Sequence, residues 1–270
     1  MPSASLAVFW CHLKRRAGRL RLSLSSSFVG PDSAHLFVAH PDSLLLAARG
    51  HTRWLSEEER QRAERYRAPG TGSLYRATRV LVRGILASLL ECAPEALDFA
   101  EEAHGRPVLR PRSGNVPLDF NASRSRAWVA LVVTGGARCG VDVEDVSRRV
   151  DILGVARAFA PAERSLLQDA TPEERRRRFF SLWTLKEATL KALGTGLTLS
   201  LGACAFQFPA GEPPRVTFES PVDENPADWS FAELRPDGSH ALAVAVRGAQ
   251  ARNVVLHGTA ETCARVASVE

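Results

Sequence analysis

An order of elements written twice is what most constrains this chain. Residues 34–39 form an apolar run that predicts a strand. Helical patterns follow. Ser56-Glu57-Glu58-Glu59 has the form of a capping box, in which the Ser side chain caps the helix and the Glu three residues on reaches back. Pro69-Gly70-Thr71-Gly72 breaks the pattern, and a second helix carries Arg76, Arg79 and Arg83 among apolar residues as far as Leu90. Strand-like segments come next at 97–99, 107–109, 118–120 and 127–134. The second half repeats this order. Residues 139–144 alternate like a strand, and a helical stretch begins near Val150. Thr171-Pro172-Glu173-Glu174 is a second capping box, with Pro at the first helical position, where its missing N–H costs nothing. That helix is predicted to run over 172–193, where Gly194 is placed to end it. Strands are predicted at 203–208, 216–218, 229–234 and 241–246, with a tight turn at Pro236-Asp237-Gly238. The expected fold is α+β: two similar lobes in a pseudo-twofold arrangement, with the active site in the cleft between them. The lobes are expected at 31–136 and 137–250, after a disordered basic leader at 1–30 and before a tail at 251–270.

Charge and composition then exclude whole classes of function. The pI near 9.2 suggests nucleic acid. Yet residues 1–30 hold Lys14, Arg15, Arg16, Arg19 and Arg21 and no acid, and the whole chain is also +5. Residues 31–270 therefore net to zero, which removes the case for broad binding to a phosphate backbone. No apolar run approaches the roughly 18 residues that span a bilayer. The five Cys are scattered with no CxxC pair, so neither a zinc knuckle nor a redox dithiol is indicated. A sparse, odd count fits a reducing cytoplasm. The Ser- and Arg-rich leader has a composition that also suits an organellar transit peptide; the plainer reading is a disordered leader or an over-extended gene start.

The chemistry concentrates in two short runs. Of 35 Lys and Arg residues only three are Lys, and two of those, Lys186 and Lys191, lie five residues apart within one predicted helix. Unlike Arg, Lys is a compact ammonium able to give up a proton. Trp183, Glu187 and Lys191 are spaced i, i+4, i+8 and share one stripe of that helix, with Lys186 about 100° round. In Gly140-Val141-Asp142-Val143-Glu144, alternation puts Asp142 and Glu144 on one face of a strand. Asp142, Glu144 and Glu187 make an oxygen-only set, which suits Mg²⁺ or Mn²⁺ and not zinc.

These runs resemble the paired motif of the Sfp-type 4′-phosphopantetheinyl transferases, G-[IV]-D-[IV]-E followed by F/W-x-x-K-E-[AS]-x-x-K. Two further blocks match in order: His104-Gly105-Arg106-Pro107 is similar to the family's G-[KR]-P segment, and Phe120-Asn121-Ala122-Ser123-Arg124-Ser125 to its F-N-x-S-H-S segment. The resemblance implies a monomeric enzyme that moves the phosphopantetheine arm of coenzyme A to a serine of an acyl- or peptidyl-carrier protein and releases adenosine 3′,5′-bisphosphate. It implies Asp142, Glu144 and Glu187 as ligands of Mg²⁺, and Glu187 as the base for the serine proton, directly or through a water. Lys191 would stabilise or protonate the leaving bisphosphate, with Asp142 completing the catalytic set. Arg106, Asn121, Ser123 and Arg124 would line the phosphate and adenine end, and Lys186 would contact a phosphate or the lobe interface. Arg124 stands where the family usually has His. Arg binds phosphate at any pH but cannot shuttle a proton. Two other readings use the same residues: a Mg²⁺-dependent pyrophosphatase of coenzyme A or a related nucleotide, and a non-catalytic binder of coenzyme A or a carrier protein.

Overall fold

The computed structural model describes residues 33–47, 51–110, 117–248 and 253–258; the predicted leader lies outside them. The duplication extends to topology. The first lobe runs β1 (Ser33–Ala39), α1 (Pro41–Ala47), α2 (Glu57–Arg65), α3 (Thr71–Leu89), a hairpin of β2 (Phe99–Glu101) and β3 (Pro107–Leu109), then β4 (Asp119–Arg124) and β5 (Val129–Thr134). The second runs β6 (Arg138–Asp145), α4 (Ile152–Ala156), α5 (Pro161–Gln168), α6 (Pro172–Leu193), a hairpin of β7 (Cys204–Gln207) and β8 (Arg215–Phe218), then β9 (Trp229–Leu234) and β10 (His240–Arg247). In both, the first strand pairs antiparallel with the last, and the last with the one before it: β1-β5-β4 and β6-β10-β9. Part of the predicted tail belongs to the first lobe: β11 (Asn253–His257) pairs parallel with the free edge of β1, from Ser33↔Asn253 to Phe37↔His257. Covering an edge strand protects its unpaired backbone groups.

Local chemistry sets the helix ends. Both capping boxes form, Ser56 with Glu59 and Thr171 with Glu174. Gly194 closes α6 at φ 74°, a left-handed position that suits glycine. Helix α3 packs on the first sheet through Leu81, Ile85 and Leu86 against Phe37, Phe120 and Leu131. Helix α6 packs on the second through Phe179, Phe180 and Leu185 against Phe231 and Ala243. A third core lies between the sheets and takes Leu36 and Val132 from one lobe and Val141, Val143, Leu242 and Val244 from the other.

Both lobes carry the same buried charge device. In the first, Glu59 of α2 accepts Arg83 Nε of α3 (2.8 Å), while Arg83 Nη1 donates to the carbonyls of Pro94 (2.7 Å) and Leu97 (3.1 Å), just before β2. In the second, Glu163 of α5 pairs with Lys186 of α6 (2.7 Å), and Lys186 donates to the carbonyls of Leu201 (2.8 Å) and Cys204, at the start of β7. Each glutamate also accepts the amide three residues earlier, Ser56 or Ala160. The cation on the third helix thus ties the second helix to the segment entering the hairpin. Burying such a charge requires this full set of partners.

The lobes meet along a polar seam. β4 and β6 are each an edge of their own sheet. Alternate side chains of β4 accept alternate amides of β6: Asp119 from Cys139 (2.8 Å), Asn121 from Val141 (3.0 Å) and Ser123 from Val143 (3.4 Å). Those amides would otherwise be buried without partners.

Candidate active site

The site forms where α6 crosses β6 beside this seam. The crossing is close because of Gly140: a Cβ there would lie 1.9 Å from the carbonyl oxygen of Ala188 and 2.8 Å from the amide of Ala192. Two residues further along β6, Asp142 is buried at 5% exposure. Its Oδ1 accepts Lys191 Nζ (2.6 Å) from α6 and Ser123 Oγ (2.9 Å) from β4. Lys191 also donates to the Val141 carbonyl (3.0 Å) and to Ser123 Oγ (3.2 Å), so its three N–H bonds have three acceptors. One carboxylate oxygen is thereby held by both lobes. The other, Oδ2, is buried with no hydrogen-bond partner among the described residues.

Two glutamates lie within electrostatic reach of Asp142. Glu144 accepts Trp183 Nε1 (3.0 Å), and Arg148 Nε lies 3.0 Å from its Oε2, a charge contact without hydrogen-bond alignment. Glu187 is half-buried and makes no hydrogen bond or ion pair among the described residues. Burial pushes the Glu187 carboxyl above its ordinary range, opposed by Lys191 and reinforced by Asp142 and Glu144. Burial and the charge of Asp142 push Glu144 the same way. Like charges held in one partly desolvated place disfavour their own ionisation. Among the described residues no three His, Cys, Asp or Glu side chains form a cage for a metal by themselves. The orphaned Asp142 oxygen and unpartnered Glu187 instead fit a cation that takes one or two carboxylates and completes its shell with water and phosphate oxygens, as Mg²⁺ does.

Beside the seam, a cavity of about 590 Å³ opens in the first lobe between α2, α3, the β2–β3 hairpin and β4. Most of its arginines are neutralised: Arg62 by Glu101, Arg79 and Arg83 by Glu59, Arg110 by Asp98. Arg124 is the exception among the described residues. It donates only to Tyr66 Oη (3.3 Å), with its guanidinium 5.6 Å from the centre of the Tyr75 ring. Asn121 lines the same cavity. Ser123, two residues on from Asn121, touches Asp142, so β4 links the cavity to the carboxylates.

The structure therefore brings Asp142, Glu144, Glu187, Lys191 and Ser123 together, with Arg124 and Asn121 at the adjoining cavity. Lys186 and Arg106 lie elsewhere. Lys186 is 1% exposed and consumed by the Glu163 device, at the same place in its lobe as Arg83. Arg106 is buried on Asp119 and three backbone carbonyls. Asp119 and Arg148 were not singled out in the sequence. The polar alternation Asp119, Asn121, Ser123 was the available signal for the first; an arginine four residues from Glu144 was a weak one for the second.

Comparison with known proteins identifies relatives of this chain. Residues 138–245 match the model of the 4′-phosphopantetheinyl transferase superfamily. A relative in Nostoc, the 4′-phosphopantetheinyl transferase HetI, is 33% identical over 80% of this chain and 89% of its own length. The 4′-phosphopantetheinyl transferase psf-1 of Bacillus pumilus is 30% identical over 72% of this chain and 79% of its own. Among solved structures, a holo-(acyl-carrier-protein) synthase from Bacillus anthracis in complex with CoA (3′,5′-ADP) aligns with 42% of this chain and 96% of its own, at 17% identity and a TM-score of 0.35. The similarity to HetI runs through both lobes, and the family pattern falls on β6 and α6, where the carboxylates and Lys191 meet: this chain belongs to the 4′-phosphopantetheinyl transferase superfamily.

Proposed function

We propose that this protein transfers the 4′-phosphopantetheine arm of coenzyme A to a serine hydroxyl of an acyl- or peptidyl-carrier protein and releases adenosine 3′,5′-bisphosphate, with Mg²⁺ as its cofactor. The observation that carries this reading is Asp142: one oxygen fixed by Lys191 and Ser123, the other buried without a hydrogen-bond partner, with Glu187 within electrostatic reach. Asp142 and Glu187 would hold the ion, with Glu144 steered toward it by Trp183 and Arg148. When bound, Mg²⁺ neutralises charge on the diphosphate oxygens. The rest falls to the chain's own groups. Glu187 takes the serine proton, directly or through a water, and its raised affinity for protons suits a base. Lys191 holds Asp142 in place and supplies positive charge at the leaving side. Arg124, without a carboxylate partner among the described residues and beside two phenol rings, takes a phosphate of the nucleotide.

Both halves of the site come from one chain, which supports a monomer. No helix of the described residues is long and apolar enough to cross a membrane; the proposed setting is the cytoplasm, without nucleic acid or membrane. The test is the mass of an apo carrier protein after incubation with coenzyme A and Mg²⁺. Gain of one phosphopantetheine is expected. Cleavage of coenzyme A with no protein modified would instead support the pyrophosphatase, and no reaction the non-catalytic binder.

A further inference from the structure

Arg106 sits in the block whose family resemblance implies contact with the substrate's phosphate end, yet its surroundings suit a different task. Its side chain is 5% exposed. Nη1 and Nη2 grip both oxygens of Asp119 (3.0 and 2.7 Å), a fork-to-fork pair that only Arg can make. Nη2 also donates to the carbonyls of Phe120 (3.3 Å) and Cys139 (3.0 Å), and Nε to the carbonyl of Lys191 (3.0 Å). One guanidinium thus joins β4, β6 and the last turn of α6. Its approach is set by a tight turn. Gly105, at φ 77°, donates to the Glu102 carbonyl, and Glu102 donates back to that of Arg106. Glu102 in turn pairs with Arg138 of β6 (2.7 Å). All three guanidinium nitrogens of Arg106 are engaged, so turning the fork to a phosphate would require breaking a buried charge pair.

We infer that Arg106 is a positioning residue of the transfer reaction: it clamps the seam so that Lys191 meets Asp142, and it does not bind coenzyme A. The two ends of Lys191 make the link. Its carbonyl is held by Arg106 and its ammonium by Asp142. Asp119, the partner of Arg106, also accepts the Cys139 amide and so begins the run of bonds that ends at Ser123 and Asp142. Loosening the clamp lets α6 and β6 slide relative to each other, which separates the lysine from the carboxylate without touching the cavity.

This inference rests on the transferase reading, and its test separates the two. Arg106→Lys keeps a charge but loses the fork; Asp119→Asn keeps Arg106 itself and weakens the clamp. For each folded variant, confirmed by its melting curve, kcat and KM for coenzyme A are measured, and Mn²⁺ binding is measured by calorimetry without substrate. We expect both variants to lose kcat by about a hundredfold, the scale of an ångström-level misplacement. KM for coenzyme A should stay within about threefold and Mn²⁺ should bind at least about tenfold more weakly. A rise of KM in Arg106→Lys with kcat kept, near-normal kinetics in Asp119→Asn, or unchanged Mn²⁺ binding in both would overturn the inference. If the unmodified protein loads no carrier, the transferase reading falls, and the Mn²⁺ comparison still decides whether Arg106 positions the carboxylate.

Discussion

Gly140→Ala is the sharpest test of how the site is assembled. The added Cβ would lie 1.9 Å from the Ala188 carbonyl oxygen, 2.9 Å from its carbonyl carbon and 2.8 Å from the Ala192 amide. All three are backbone atoms of α6, a helix of 22 residues seated on its own core through Phe179, Phe180 and Leu185, so none can swing aside. Either the helix or the strand has to retreat by roughly 1.5 Å to restore an ordinary contact distance. Lys191 precedes Ala192, and Asp142 lies two residues from Gly140. A retreat of that size stretches their 2.6 Å bond beyond hydrogen-bond range. Overpacking of this kind costs about 1–3 kcal/mol, or a fall in Tm of about 2–12 °C for a chain of this size. The displacement should lower turnover by about a hundredfold. Carrier modification followed by mass spectrometry and a thermal melt read both effects. Gly238→Ala is the control, because nothing lies within 4 Å of a Cβ there and both readings should stay unchanged. A Gly140→Ala protein with native Tm and native turnover would refute the close crossing and the site built on it.

Other changes separate stability from chemistry. Asp142→Asn should raise the transfer barrier by about 3 kcal/mol, the scale of losing one electrostatic stabiliser, read as turnover at saturating coenzyme A. Lys186→Met should destabilise the fold by about 3–5 kcal/mol by leaving the Glu163 charge buried without its cation, while Lys186→Met with Glu163→Gln should recover part of that loss in denaturant unfolding. The Glu187 carboxyl holds its proton more tightly in the folded chain than in the unfolded one, so its contribution is present at low pH and lost as pH rises through the raised folded value. In a chelator-treated sample Glu187→Gln should therefore raise Tm at pH 7–8, leave it unchanged well below the ordinary glutamate value of 4.5, and abolish transfer at any pH. Lys191→Arg should lower turnover through the altered grip on Asp142 and leave the alkaline limb of the pH–rate profile in place; a shifted limb would make Lys191 a proton donor instead.

The doubled order of strand, helices, hairpin and strands could be read from the chain because each signal is local. The capping boxes at Ser56 and Thr171, the glycine after Leu193 and the strand at 229–234 each depend on residues within a few positions of one another. The same holds for the stripe of Glu187 and Lys191 and the shared face of Asp142 and Glu144, which follow from helix and strand periods alone. Strand β4 was legible only to Phe120, since Asn121 and Ser123 break the apolar pattern that marks a core strand; they turn out to serve the neighbouring lobe. Tertiary structure alone decided what each polar group is for. Lys186 and Lys191 look alike in sequence, five residues apart on one helix, yet about 140° of rotation separates them: one faces the buried Glu163 and the other the carboxylate of Asp142. Arg106 and Arg124 look alike as phosphate ligands, but one is locked into a buried fork and the other stands at a cavity wall without a carboxylate partner among the described residues. A side chain's partners come from chain segments tens of residues away, and for this protein those partners distinguish the residues that hold the lobes together from those that face the substrate.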